Sequence, residues 1–194
     1  MDVSNKNEQL LQASYKGDAK AIQLLVDKGA NIDATLMVLM EQVQRGGDTP
    51  QMLEPIEALL KAGVSLKDDI LFYADCYPNL IKLLLKYGAD ANYREEDGYS
   101  VLHRMSSFGG KYCEDALKIL IKAGADVNAR TDNGKTPLMM IAYSYPDEED
   151  SPEGFITILL EAGANIDAKN NDGKTVLDLA KDENNINVVN ILKK

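Results

Sequence analysis

The stretch Gly124 to Ala142, GADVNARTDNGKTPLMMIA, decides how the chain is read. Its "NGKT" shares three letters with the phosphate-loop fingerprint. That fingerprint needs a first glycine five residues before the Gly-Lys pair, so that backbone N–H groups wrap the phosphates. Ala129 stands there instead, and the loop is absent. What the stretch has is echoes: GANIDAKNNDGKTVLDLA at 163–180 repeats it closely, and GADANYREEDGYSVLHRM at 88–105 more loosely. Further upstream, LLVDKGANIDA (24–34) and LLKAGVSLKD (59–68) keep only the first half. The glycine that closes each leucine-rich run falls at Gly29, Gly63, Gly88, Gly124 and Gly163, at intervals of 34, 25, 36 and 39. Self-similarity at such a period marks a stacked array.

Composition supports a folded array. The 194 residues are 45% apolar, enough for a continuous core. The opening MDVSNKNEQLLQ has no secretory pattern, and no apolar run reaches bilayer length, so a soluble, cytoplasmic protein is expected. Two cysteines, Cys76 and Cys113, make no disulfide framework and are expected to be reduced. The formal charge of −10 disfavours nucleic acid and anionic membranes and favours a partner protein with a basic surface.

Within one period, Asn133-Gly134 suits a tight turn, and Thr136 with Pro137 suits a helix start. PLMMIAY then sets Leu138, Ile141 and Ala142 at helical spacing, and FITILLEAG sets Ile156, Leu159 and Leu160 on a second stripe that ends at Gly163. Each unit reads as turn, helix, loop and antiparallel helix. Two short helices cannot bury both stripes on each other, so units must stack.

DNGKTPLMMIA, EDGYSVLHRM and NDGKTVLDLA, with the five leucine-rich segments ending in glycine, resemble the ankyrin-repeat family. The resemblance implies an all-α solenoid of about six helix-turn-helix repeats with short β-hairpin fingers, a single domain over 1–194. The repeats run approximately 5–34, 35–67, 68–93, 94–130, 131–168 and 169–194, with the N-terminal ones degenerate. Both ends read as complete caps, and a monomer is expected.

Departures from the period carry the functional reading. After Gly29 and Gly63 the chain re-enters helical pattern almost at once, so the early fingers are cut short. Length returns in QRGGDTPQMLEP (44–55), SFGGKYCED (107–115) and YSYPDEEDSPEGF (143–155). Eight of nine tyrosines fall between residues 73 and 145; tyrosine supplies rigid amphipathic area at binding hot spots. In the family, fingers and inner helices line a protein-binding face. Carried over residue by residue, this implies Tyr93, Glu96, Asp97, Tyr99, Arg104, Asn133, Lys135, Met140, Tyr143, Asn171 and Lys174, with Tyr73, Tyr77 and Tyr145 from the same tyrosine cluster. Tyr73 and Tyr77 are assigned to one inner helix.

No catalytic residue, metal or cofactor is expected. His103, the sole histidine, occupies the histidine place of the family's Thr-Pro-Leu-His signature, where it ties neighbouring turns together. The resulting expectation is a non-catalytic module that binds a partner protein through its finger and inner-helix face. The alternatives are an acidic inhibitor or immunity-type protein that blocks a basic enzyme or toxin and, lower, an enzyme with carboxylates in the inserted loops.

Overall fold

The computed structural model describes residues 3–108, 113–144 and 152–193. These residues form eleven α-helices and short 3₁₀ turns with no β-strand, and the chain divides into two compact units, Met1–Ala89 and Asp90–Lys194.

The first unit holds α1 (Val3–Tyr15), α2 (Ala19–Asp27), α3 (Ile32–Gly46), α4 (Pro50–Lys61), a 3₁₀ helix (Ile70–Tyr73) and α5 (Pro78–Lys86). Asp18 and Asn31 cap α2 and α3 by accepting from the N–H groups of Ala21 and Ala34, each at 3.0 Å. Pro50 and Pro78 open α4 and α5, where the missing N–H costs nothing. Helix α1 packs on α2, α3 and α4, and α4 also meets α2 and α3. Leu10, Ile22, Leu39, Val43, Ile56 and Leu59 fill the space between them, each 0–1% exposed. Each such side chain contributes about 2 kcal/mol by leaving water.

The segment ILFYADC, read as an inner helix, forms only the four-residue 3₁₀ turn. Its repeat is short of residues, and the chain reverses at Asp75 with φ 45°. Tyr77 is then extended (φ −90°, ψ 98°), as the residue before a proline prefers, so it caps α5 and does not share an element with Tyr73.

The second unit holds α6 (Val101–Phe108), α7 (Glu114–Lys122), α8 (Pro137–Met140) with a 3₁₀ turn (Ile141–Tyr143), α9 (Glu153–Glu161), α10 (Val176–Asp182) and α11 (Ile186–Leu192). Helices α6, α8 and α10 stack in order as one row, and α7 on α9 as a second. Thr136 accepts from the Met139 N–H and Pro137 takes the first helical position, as the motif predicts. The run PLMMIAY tightens from α to 3₁₀ at Ile141. Leu102, Leu117, Leu120, Leu138, Ile141, Phe155, Ile156 and Leu159 are buried, whereas Leu160 is only half-buried.

Within the second unit, asparagine side chains tie successive repeats together. Asn92 donates to the Gly124 carbonyl (2.9 Å) and accepts from the Asp126 N–H (2.8 Å). Asn128 does the same with Gly163 (2.9 Å) and Asn165 (2.8 Å). Neither Cys76 nor Cys113 is a free thiol; both are disulfide-bonded, against the expectation of reduced cysteines, which rests on compartment and carries no geometry.

Gly134 and Gly173 occupy equivalent turns with φ 74° and 78°, but their surroundings differ. A Cβ at Gly134 would strike the Asn171 side chain and sit 2.8 Å from an Arg130 nitrogen, whereas nothing lies within 4 Å at Gly173. Gly173→Ala should therefore cost only the left-handed penalty of about 1–2 kcal/mol, and Gly134→Ala at least about 1 kcal/mol more from the displaced turn. Urea unfolding of the two variants side by side measures the gap; equal losses would contradict it.

Candidate binding surface

The three turns EEDGYS, TDNGKT and NNDGKT lie in the second unit and are built alike. Each is closed by an N–H to carbonyl bond across its base: Glu95 to Tyr99 (2.9 Å), Thr131 to Lys135 (2.9 Å) and Asn170 to Lys174 (3.0 Å). Their β character is a single isolated antiparallel bridge, Arg94 with Ser100. Acceptors inside the turns hold their shape. Asp97 accepts from the Tyr99 N–H (3.0 Å), and the Asn170 amide oxygen accepts from Asp172 (3.0 Å) and Lys174 (2.9 Å).

The turns are also bonded to one another. The Asp132 N–H donates to the Asp97 carbonyl (2.8 Å) and the Asn171 N–H to the Asn133 carbonyl (3.1 Å). The Asn171 side chain reaches the Asp132 carbonyl at 2.8 Å. Behind them Arg94 donates to the Arg130 carbonyl (3.3 Å) and Arg130 to that of Lys169 (2.6 Å). The result is a row of turns whose backbone groups face inward to their neighbours. Glu96, Asp97, Asn133, Asn171 and Lys174 stand exposed at the tips.

Arg104 on α6 and Met140 on α8 are half-buried. The Lys135 ammonium sits 4.2 Å from the centre of the Tyr143 ring, which is 40% exposed, a geometry in which the ring face attracts the cation. Lys174 pairs with Asp182 at 2.7 Å, and that bond holds its ammonium above the usual lysine range. Tyr99 is half-buried, its hydroxyl 2.6 Å from the Ser107 hydroxyl and its ring tilted over His103. Tyr93 is half-buried near the start of the unit. Tyr145, and the acidic run Asp147 to Asp150, lie outside the described residues.

Tyr73 and Tyr77 belong to the first unit. The Tyr77 hydroxyl donates to the Gln44 carbonyl (2.7 Å), while the Gln44 amide donates to the Tyr73 carbonyl (3.3 Å) and to Asp75 (2.8 Å). Tyr77 is thus committed to tying α5 to α3, and Tyr73 keeps 41% of its surface in water.

His103 is fully buried. Its Nδ1 accepts from the Ser100 N–H (3.1 Å) and meets the Ser100 hydroxyl (2.8 Å), so Nε2 carries the proton and donates to the Lys135 carbonyl (3.0 Å). Both nitrogens are occupied, which leaves the ring a strut between α6 and the next turn. Burial, reinforced by the charge of Arg94, holds its pKa below 6.5, although the bond to Lys135 works the other way. No cluster of metal-ligating side chains occurs among the described residues.

The asparagine and arginine bridges escape a motif reading. Asn92 and Asn128 stand at matching places in GADANYR and GADVNAR, but polar residues two past a turn read as ordinary solvent-facing positions. Their recurrence 36 residues apart is the one signal that links them.

A family model described as ankyrin repeats (3 copies) matches residues 70–167 and 102–194. Those spans cover well over half of the chain, which belongs to the ankyrin-repeat family. Ankyrin repeats are generally non-catalytic protein–protein interaction modules. No curated protein matches the sequence. Among the described residues, no helix is long and apolar enough to cross a membrane.

The buried histidine gives a titration test. Its folded pKa is depressed, so above pH 6.5 the ring is neutral in both states and stability is intact. As pH falls below 6.5, the unfolded ring takes a proton that the folded ring refuses, and stability declines towards the lower folded value. Because it is the sole histidine, urea unfolding between pH 7.5 and 5.5 should show this decline, and His103→Gln should flatten it while costing about 1–3 kcal/mol throughout. An unchanged slope in the variant would mean another group titrates.

Proposed function

We propose that the chain is a non-catalytic interaction module that grips a partner protein along the turn tips and adjoining helix side chains of its second unit. The observation that carries this reading is the row of mutually bonded turns. With turn bonded to turn through backbone and side chain, the row holds Glu96, Asp97, Asn133, Asn171 and Lys174 in fixed places in water. Binding to a row already ordered avoids much of the entropy of arranging it. Arg104, Lys135, Met140 and Tyr143 supply the amphipathic area beside it, the residue chemistry of hot spots.

The net charge of −10 over the whole chain favours a particular version, in which the partner is a basic enzyme or toxin that this acidic protein blocks. Such an association weakens steeply with salt because it works through charge. A scaffold held by apolar anchors is far less sensitive.

A photo-crosslinking side chain at Met140 or Asn133, with one at Lys118 on α7 as the control, tests the surface. The reading expects one partner joined from the first two sites and not from the third. Tyr143→Ala together with Lys174→Ala should then weaken that partner about tenfold, a loss typical of an interface anchor. Crosslinks from position 118 alone, or unchanged affinity in the folded double variant, would place the interface elsewhere.

A further inference from the structure

The first unit carries a surface of different chemistry. On three alternate elements a large side chain is left partly in water: Tyr15 on α1 (48% exposed), Val38 on α3 (41%) and Tyr73 on the 3₁₀ helix (41%). No bonded turn of the kind found in the second unit stands beside them, since the chain enters α3 three residues after Gly29 and the 3₁₀ helix seven after Gly63. The Tyr15 hydroxyl, bonded to the Gln42 side chain, links α1 to α3.

Between α3 and the 3₁₀ helix lies a cavity of about 120 Å³, walled by Asp33, Met37, Lys67, Asp69 and Tyr73 over a floor of buried Leu36 and Ile70. A metabolite or cofactor site is usually several times larger; this space suits one side chain. Its charges do not cancel. Lys67 pairs with Asp33 at 3.1 Å, while Asp69 is met by the Tyr73 hydroxyl at 3.4 Å, so two carboxylates face one ammonium. The excess shows in Lys67 itself, whose pKa is raised first by the bond to Asp33 and further by the charges of Asp33 and Asp69.

An anionic side chain would be repelled from this space, and a purely apolar one would leave the second carboxylate uncompensated. A cation on an apolar stem fits every wall. The stem lies on Leu36, Met37 and Ile70, the head reaches Asp69, and the Tyr73 ring offers its negative face. A planar guanidinium matches a carboxylate beside an aromatic ring better than an ammonium does. We infer that the first unit is a second docking surface, which takes an arginine of a partner protein into this pocket and covers Tyr15 and Val38 with apolar residues flanking that arginine. The surface is separate from the turn row of the second unit. Lys67 holds the pocket when it is empty: its exposed ion pair is weak and screened, so an arriving guanidinium displaces it towards solvent.

The test uses the full chain and a short peptide, acetyl-Leu-Leu-Arg-Leu-amide, with a control in which neutral citrulline replaces the arginine at equal shape. Titration followed by NMR should move the signals of Met37, Ile70 and Tyr73 with the arginine peptide and spare them with the citrulline peptide. Lys67→Ala, which removes the resident cation, should tighten binding about threefold or more, and Asp69→Asn and Tyr73→Ala should each weaken it by a similar factor. All three positions are at the surface and leave the core intact. If both peptides bind alike, if neither moves those signals even in Lys67→Ala, or if Lys67→Ala weakens the arginine peptide, the inference is wrong. Crosslinking from Met140 and Asn133 reads the second unit independently, so failure here leaves that interface standing.

Discussion

Apolar burial between neighbouring helix pairs is the constraint from which the rest follows. The helices are short: α6 has eight residues and α7 nine, below the length at which an isolated helix persists in water. They exist because they pack together: Leu117 and Leu120 of α7, which meets α6 and α9, are 0% exposed, and Leu138 of α8, which meets α6 and α10, is 1% exposed. Stability therefore resides in interfaces between repeats. The first unit obeys the same rule, with Leu10 of α1 buried where three other helices meet it.

Stacking helices in register also sets their connecting turns side by side, and hydrogen bonding then completes what burial begins. A turn standing alone would leave its outer donors and acceptors to water. In the second unit the Asp132 and Asn171 N–H groups instead find the carbonyls of the preceding turn, while Arg94, Arg130 and His103 reach forward to the carbonyls of the next. Polar satisfaction between repeats thus fixes the very residues that face solvent. A module that recognises a partner gains from this arrangement, because side chains on a bonded row lose little freedom on binding.

The repeat was legible because it is local. Glycines that close each leucine-rich run, the Thr136-Pro137 start and the buried places of Leu138 and Leu159 all follow from spacing within one unit, and helices stand where those patterns put them. Interactions between repeats were harder to read. Nothing near Asn128 in sequence suggests that it binds residues 35 and 37 positions away, yet both bonds form. Tyr77 looks like a helix residue until Pro78 is weighed, and its hydroxyl then proves committed to Gln44. Tyr99 reads in sequence as one of the binding residues, but in the fold it leans on His103 and Ser107. The disulfide-bonded state of the cysteines is hidden for a related reason, since compartment statistics hold no information about distance.

Shortening the turns changes what an inner face can offer. Where turns are full, as in the second unit, the face combines polar tips with a lysine-covered ring. Where they are absent, as in the first, Tyr15, Val38 and Tyr73 keep a large part of their surface in water. Apolar exposure alone is indiscriminate, and single exposed side chains are ordinary on any protein. Specificity has to come from a group whose wrong pairing carries a cost. Asp33, Lys67 and Asp69 provide one around an apolar floor: a mismatched charge meets repulsion, a neutral group leaves a carboxylate partly dehydrated, and only a cation with a long stem satisfies both floor and rim. Loss of the turns in the first unit therefore exchanges a preformed polar row for an aromatic surface with one charged pocket, the same stacking physics yielding two kinds of surface.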